Sequence, residues 1–271
     1  MAKAADPAKR PARASVWLAD GARGEPPARR GAQPSPSGLD RDLITRTTVR
    51  MLDAQGPAKF SMRRLAAELN VTAMSVYWYV DTKDDLLELA LDAATGELRL
   101  PALPPDPAAR RAQWRELLRA TAREYRALLV RHPWLSALAG HFLNVGPNSL
   151  EFSRTVQEIV RSTGLPAQGQ TGAIAAVFQF VYGFGTIEGH YIQRCAEAGR
   201  TQDEYHREAM GAISDEPGMA VLWDSAAELM EARGGGTVEE MRERDFSFAL
   251  ELIVAGIEAM IERHARDAGT G

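Results

Sequence analysis

Between Ser61 and Lys83 the chain reads Ser-Met-Arg-Arg-Leu-Ala-Ala-Glu-Leu-Asn-Val-Thr-Ala-Met-Ser-Val-Tyr-Trp-Tyr-Val-Asp-Thr-Lys. These residue types suit contact with a nucleic acid better than any covalent chemistry. Thr72, Ala73, Met74 and Ser75 stand at the start of a short helix, the end that must approach base edges if the helix enters a major groove. Small side chains there let the backbone come close, and the Ser75 hydroxyl can donate or accept a hydrogen bond. Tyr77 and Trp78 follow. Adjacent residues on a helix cannot share a face, so one of them can pack on its neighbours while the other meets DNA. Lys83 opens the next helix, where its charge and the free backbone amides both favour a phosphate. No competing chemistry stands out elsewhere. There is no nucleophile elbow, phosphate loop, dinucleotide fingerprint or metal-spaced His/Cys cluster. His132, His141, His190, His206 and His264 are scattered and nowhere paired at i, i+4. Neither an enzyme nor a cofactor or metal is expected.

The elements that must hold those residues are all helical. Leu43, Val49 and Leu52, with Ile44 and Met51, form one apolar stripe at helical spacing, and Gly56-Pro57 ends that helix. Ser61 is a good N-cap for a second helix that turns Leu65, Ala66 and Leu69 inward, and Asn70 sits where the chain must turn left-handed. Thr72 caps the aromatic helix, which runs to about Tyr79. Thr82-Lys83-Asp84-Asp85 resembles a capping box and opens a fourth helix bearing Leu86, Leu87, Leu89, Ala90 and Leu91. After the linker Pro101–Pro107, Asp106-Pro107 marks a helix start. Further helices are expected at roughly 107–130, 133–144, 148–163, 168–197, 201–212, 219–233 and 238–266, separated by Gly/Pro breaks, with Thr237 and Glu240 forming a second capping box. The expected fold is all-α with about ten helices and no internal repeat.

Charge is distributed unevenly along the 271 residues. Residues 1–80 hold 13 Lys/Arg against 7 Asp/Glu, and residues 81–271 hold 19 against 29, so a basic start precedes an acidic body and the net charge is −4. Only the first part is suited to a polyanion. Residues 1–38 carry six prolines and seven Lys/Arg with few large apolar side chains, so they are read as a disordered arm, anchored only at Trp17 and Leu18. Such an arm is either a solvated tail or an extra phosphate contact that can reach a minor groove. The single cysteine, Cys195, allows no internal disulfide, and no secretory segment is seen. The longest apolar run, Ala173 to Ile187, is broken by polar and glycine residues and is too short for a bilayer. A soluble, cytoplasmic protein without a membrane partner is expected.

The motif of residues 61–83 resembles the N-terminal DNA-binding domain of the TetR family, in particular its tetracycline-repressor-like branch. Arg63, Leu65, Ala66, Leu69, Val71, Tyr77, Trp78, Val80, Lys83, Leu86 and Leu87 fall at the family's spacing. A second resemblance lies in Phe246-Ser-Phe-Ala-Leu-Glu-Leu-Ile-Val-Ala-Gly-Ile-Glu258, which is similar to the last helix of that branch, half of its dimer interface. The resemblance implies that Arg63 reads a base through its planar fork, worth roughly 1–3 kcal/mol of discrimination at a guanine. It also implies that Tyr77 and Trp78 both approach DNA. Tyr79 stands at a histidine position of the branch, and Met62 replaces a phosphate-bonding threonine. DNA contact is therefore assigned to Arg63, Thr72, Ala73, Met74, Ser75, Tyr77, Trp78, Tyr79 and Lys83.

Residues 39–85 are then the DNA-binding domain, 86–267 an effector-binding and dimerisation domain, and 268–271 a tail. One recognition helix contacts too little DNA for tight specific binding, so a homodimer on double-stranded operator DNA is expected. Phe246, Leu250, Ile253, Ile257 and Met260 form an apolar stripe for that seam, flanked by Phe248, Leu252 and Ala255; such a stripe serves core packing equally well. Aromatic bulk with sparse polar groups marks candidate contacts for a small-molecule effector at Thr121, Tyr125, Trp134, His141, Phe142, Phe178 and Tyr182. The resemblance places Thr121 and Tyr125 at ligand-contacting positions. It implies a repressor that leaves its operator when the effector binds. The alternatives are a ligand-independent architectural DNA-binding dimer and a helical small-molecule enzyme.

Overall fold

Local capping chemistry sets most of the helix boundaries. The computed structural model describes residues 15–18, 39–214, 216, 218, 232 and 236–269, and among these the regular elements are helices only. Asp40 caps α1 (Arg41–Gln55) by accepting the Leu43 N–H at 2.6 Å. Gly56, at φ 71°, donates its own N–H to Leu52 and ends the helix before Pro57. Ser61 accepts from the Arg64 N–H to start α2 (Met62–Glu68). At its end Asn70 adopts φ 54°, its N–H donates to the Ala67 carbonyl at 3.1 Å, and the Val71 N–H donates to Ala66 at 2.9 Å. These two bonds are a Schellman ending, and asparagine supplies its left-handed residue. Thr72 then caps α3 (Ala73–Tyr77), and the reciprocal Thr82/Asp85 bonds cap α4 (Lys83–Thr95).

The chain divides into two compact units, Met1–Leu98 with Trp134–Ser153, and Arg99–Pro133 with Arg154–Gly271. The first unit is built on α4, whose Leu86, Leu87, Leu89, Ala90 and Leu91 are all buried, with α1 packed against it. α1 departs from its sequence pattern. Thr47 and Thr48 are buried while Leu43 and Val49 are half-buried; Thr48 satisfies its hydroxyl on the Ile44 carbonyl at 2.9 Å and so fits an apolar position. α6 (Trp134–Ala139) is shorter than the expected 133–144. Asn144, at φ 51°, donates from its side chain to the Ala139 and Phe142 carbonyls and holds the chain in a turn there. Asp92 of α4 accepts the N–H groups of Asn148 and Ser149 and thereby caps α7 (Pro147–Arg161).

In the second unit α5 (Pro107–Arg131), capped by Asp106, packs along α8 (Ala167–Glu197). Gly185 and Gly189 permit this approach, since a Cβ on Gly189 would lie 2.9 Å from the Leu129 carbonyl oxygen. α9 (Gln202–Ser214) and α10 (Val238–Gly269) complete the described helices, α10 starting from the Thr237/Glu240 capping box. The core joins Trp114, Leu118 and Ala122 of α5, Ile159 and Val160 of α7, Val177 and Val181 of α8, and Phe246, Leu250 and Val254 of α10. Buried within this unit, the Arg126 guanidinium donates to Glu188 at 2.6 and 3.0 Å and to Glu243 at 2.6 Å, between the rings of Phe184 and Phe246. Burial alone would lower the Arg126 pKa, and the two carboxylates more than reverse that, raising it. The helix expected at 219–233 lies outside the described residues, as does all of the N-terminal arm except Ser15–Leu18. There Ser15 and Val16 are buried and Leu18 is exposed, so the anchor differs from the expected Trp17 and Leu18.

Candidate nucleic-acid interface

α3 has one inward residue and an open face. Val76 is fully buried at 0% exposure, whereas Met74 is 68% and Trp78 67% exposed, with Thr72 and Tyr77 exposed beside them. Both aromatic side chains therefore face outward, because the helix ends at Tyr77 and the turn carries Trp78 off the helical spiral. Ala73 and Ser75 are half-buried. The Ser75 and Thr72 hydroxyls lie 3.0 Å apart and share a hydrogen bond, while the Ser75 N–H donates to Thr72 at 3.2 Å, so the helix start is held rigid. Arg63 and Arg64 are exposed on α2, and Arg64 donates to the Lys59 carbonyl at 3.0 Å. Lys83 is exposed at the first position of α4, its Nζ 5.7 Å from the centre of the Phe60 ring. The reciprocal capping bonds next to it leave the cation free to meet an external anion.

Tyr79 departs from the expected set. It is half-buried, its hydroxyl donates to the Leu39 carbonyl at 2.7 Å, and its own carbonyl accepts from Arg41 at 3.1 Å. It ties the end of the recognition segment to the start of α1 and is spent on that tie. Arg41, partly buried by the same contact, has its pKa lowered by desolvation, against the opposing pull of Asp85, Asp81 and Asp42. What remains is a convex surface of Arg63, Thr72, Met74, Tyr77, Trp78 and Lys83: hydroxyl, thioether, aromatic and cationic groups with no acid among them.

Comparison with known proteins identifies the frame. Residues 44–90 match the family model for bacterial regulatory proteins of the tetR family, and residues 106–261 match the tetracyclin repressor-like C-terminal domain. The chain belongs to the TetR family. It is 35% identical over 182 residues, 67% of this chain and 74% of the relative, to an HTH-type transcriptional regulator of Saccharopolyspora erythraea. It is 30% identical over 232 residues, 86% and 81% of the two chains, to the HTH-type transcriptional repressor DrrR1 of Streptomyces coeruleorubidus. Among solved structures, the TetR family protein ActR of Streptomyces coelicolor in complex with (S)-DNPA aligns at a TM-score of 0.62 and 25% identity, covering 82% of this chain and 98% of ActR. ActR in complex with actinorhodin aligns at 0.60 and 26%, covering 82% and 97%. This TetR-family chain is a DNA-binding transcription regulator, and the all-α fold read from its periodicity is the family's fold.

The expected effector contacts of the TetR-family chain fall into two groups. Thr121, Tyr125, Phe178 and Tyr182 belong to the second unit. The Tyr125 and Phe178 rings are 6.0 Å apart and tilted, and burial, with a contribution from Tyr182, pushes the Tyr125 phenol up to about 12. Thr121 is fully buried and its hydroxyl donates to the Leu117 carbonyl of its own helix at 2.8 Å. Trp134, His141 and Phe142 belong to the first unit. Trp134 is buried and donates its indole N–H to Asp53 of α1 at 2.6 Å, His141 is exposed and Phe142 half-buried. Trp134 is thus a tie within the first unit.

The expected dimer stripe is also redistributed. Phe246, Leu250 and Ile257 are buried in the core of the second unit, and Ile253 packs partly against it. The outward residues of α10 are its former flanks, Phe248 at 69% and Leu252 at 60% exposure, together with Ala255 and Met260. Both stripes have helical spacing, and the core of this unit took the one that faces Phe180 and Phe184. Beside the outward stripe a groove of about 650 Å³ runs between Gly169, Gly172, Ala173 and Ala176 of α8 and Ile253, Gly256 and Met260 of α10. Sequence reasoning passed over three buried charges, Glu88, Asp92 and Arg126. For Glu88 the available signal was a lone acid inside Leu86-Leu-Glu-Leu-Ala-Leu91. Among the described residues no group of His, Cys, Asp or Glu is spaced to hold a metal ion, and no helix is long and apolar enough to cross a membrane.

Proposed function

We propose that the chain acts as a homodimeric repressor that occupies a two-fold operator and leaves it when a small aromatic molecule binds within residues 86–267. Residues 39–85 do the reading. The observation that carries this is the open face of α3, where large side chains stand exposed on a short helix fixed at both ends. Exposing Met74, Tyr77 and Trp78 to water serves no folding purpose, and contact with thymine methyls, sugars and base edges uses all three. Arg63 supplies a bidentate base contact from α2, and Lys83 a phosphate contact from α4.

Dimerisation is supported by the exposed Phe248 and Leu252, the neighbouring glycine- and alanine-lined groove, and Ile187, exposed on α8. An outward apolar stripe on the last helix of a folded unit is otherwise costly in water. Two protomers then present two α3 helices to successive major grooves, about 34–36 Å or a multiple apart. Aromatic effector chemistry is supported by the Tyr125, Phe178 and Tyr182 group and by ActR, whose structures hold actinorhodin and (S)-DNPA. A phenol held neutral up to about 12 suits a hydrogen bond to a ligand carbonyl or hydroxyl. The ligand releases DNA only to the extent that it binds the DNA-incompetent state more tightly than the competent one.

A gel shift of the full chain on the promoter region of its own gene tests the proposal. A retarded complex should form and should be dissolved by at least one member of a panel of polycyclic aromatic metabolites. No complex on that fragment, or a complex indifferent to every aromatic compound while yielding to a non-aromatic one, contradicts it.

A further inference from the structure

Ser15 and Val16 are buried against α4 although they lie well ahead of the first helix of the unit. The pin is Glu88, a buried carboxylate in the middle of α4. It accepts the Ser15 hydroxyl at 2.5 Å and the Val16 N–H at 2.8 Å, and no other hydrogen bond to it occurs among the described residues. The Trp17 N–H donates back to the Ser15 hydroxyl at 3.1 Å and the Leu18 N–H to the Ser15 carbonyl at 3.3 Å, closing a 3-10 turn at Val16–Leu18. A carboxylate inside an apolar helix is retained only where partners satisfy it, so the turn and Glu88 require one another. The residues preceding the turn carry Lys3, Lys9, Arg10 and Arg13 against a single acid, Asp6.

We propose that residues 1–14 supply a second, sequence-independent contact to the phosphate backbone of double-stranded DNA, delivered from α4 by the Ser15–Val16 anchor. The proposal rests on the regulator function argued above. Three considerations carry it. The anchor lies on the helix that begins with Lys83, and the five-residue step to Glu88 is only about 7.5 Å of axial rise. The six residues from Lys9 to Ser15 can span up to about 20 Å, so the cations reach past that offset. The anchor also shortens the tether. From Leu39, Lys9 and Arg10 stand 30 and 29 residues away (39 − 9 and 39 − 10), and from Ser15 only six and five (15 − 9 and 15 − 10). Effective concentration falls as about the −3/2 power of tether length, so the anchor raises that of the cations roughly tenfold near the DNA-binding unit. An acidic target would need the same cations, but the first unit already offers its own nucleic-acid surface, and DNA bound there is the polyanion at hand.

The test is fluorescence-anisotropy titration of the full chain at NaCl from about 50 to about 300 mM. Two probes are used: the promoter fragment of its own gene and a random-sequence duplex of equal length. The variant with Lys3, Lys9, Arg10 and Arg13 replaced by alanine removes charge without touching the folded unit. For it the slope of log affinity on log salt should flatten by about 2 to about 4 per protomer, with both duplexes weakened by the same factor. Val16→Asp sets a second carboxylate against Glu88 while keeping every cation, and should lose affinity for both duplexes by up to roughly tenfold. Unchanged slopes and affinities in the alanine variant, with wild type binding normally, overturn the arm contact and leave the regulator function standing. A loss confined to the promoter fragment overturns it as a backbone contact. Failure of wild type to bind either duplex overturns the regulator function itself.

Discussion

At the scale of single residues, the interface separates side chains that hold the reading head from those free to touch DNA. Tyr79 and Thr72 hold it, through the Leu39 carbonyl and the Ser75 amide; Arg63, Met74, Tyr77, Trp78 and Lys83 are free. The two cations should behave differently. Arg63→Ala removes a planar fork that fits one base edge, so it should cost about 1–3 kcal/mol on the preferred sequence and flatten the preference at one position of each half-site. Lys83→Ala removes a phosphate contact and should weaken all sequences by one common factor. Affinities across a set of single-base operator variants check both. Equal base preferences in wild type and Arg63→Ala would remove Arg63 from the reading set. Arg63 and Lys83 were legible in the sequence because a base-reading or phosphate-binding cation must stay exposed, and nothing inside the fold competes for it. The role of Tyr79 was not, because its partner, Leu39, lies 40 residues away.

At the scale of elements, caps and stops were the most legible part of the chain. Ser61, Thr72, Thr82 with Asp85, Asp106 and Thr237 with Glu240 each act within four residues of themselves, so their chemistry is complete in the local sequence. Asn70 was legible for the same reason, as the residue other than glycine that best tolerates φ 54°. Elements fixed by distant partners were read less well. α6 stops early because the Asn144 side chain reaches back to Ala139, and α10 turns Phe246 rather than Phe248 inward because Phe180 and Phe184 of α8 wait there. The Arg126 cluster joins α5, α8 and α10 in one knot, invisible in sequence because its three charges come from three helices. Arg126→Ala should cost about 3–5 kcal/mol, because Glu188 is left buried without its partner. Replacing Arg126 by Met and Glu188 by Leu together should recover most of that loss. Urea unfolding of the two variants measures the difference, and equal losses would mean the pair is not the source of the cost.

At the scale of the whole molecule, the division of labour follows from charge and exposure. The basic part of the chain holds the reading surface, and the acidic remainder holds an aromatic-rich unit with one apolar stripe inward and one outward. The inward and outward stripes of α10 share one period, so the pattern that predicts a dimer seam cannot say which stripe forms it; packing against α8 decides. Function at this scale needs two copies, since a single α3 of five residues covers too little of a groove for specific binding.

Hydroxyl-radical footprinting of the full chain on the promoter region of its own gene tests this most directly. Two protected half-sites related by a dyad are expected, their centres separated by one helical turn or a multiple of it, about 10–10.5 base pairs each. In a variant carrying Phe248→Glu and Leu252→Glu, which sets two acids in the outward stripe, both half-sites should fade together. Protection of a single half-site by wild type, or a two-part footprint that survives in this variant, would contradict a two-fold dimer reading DNA through α3.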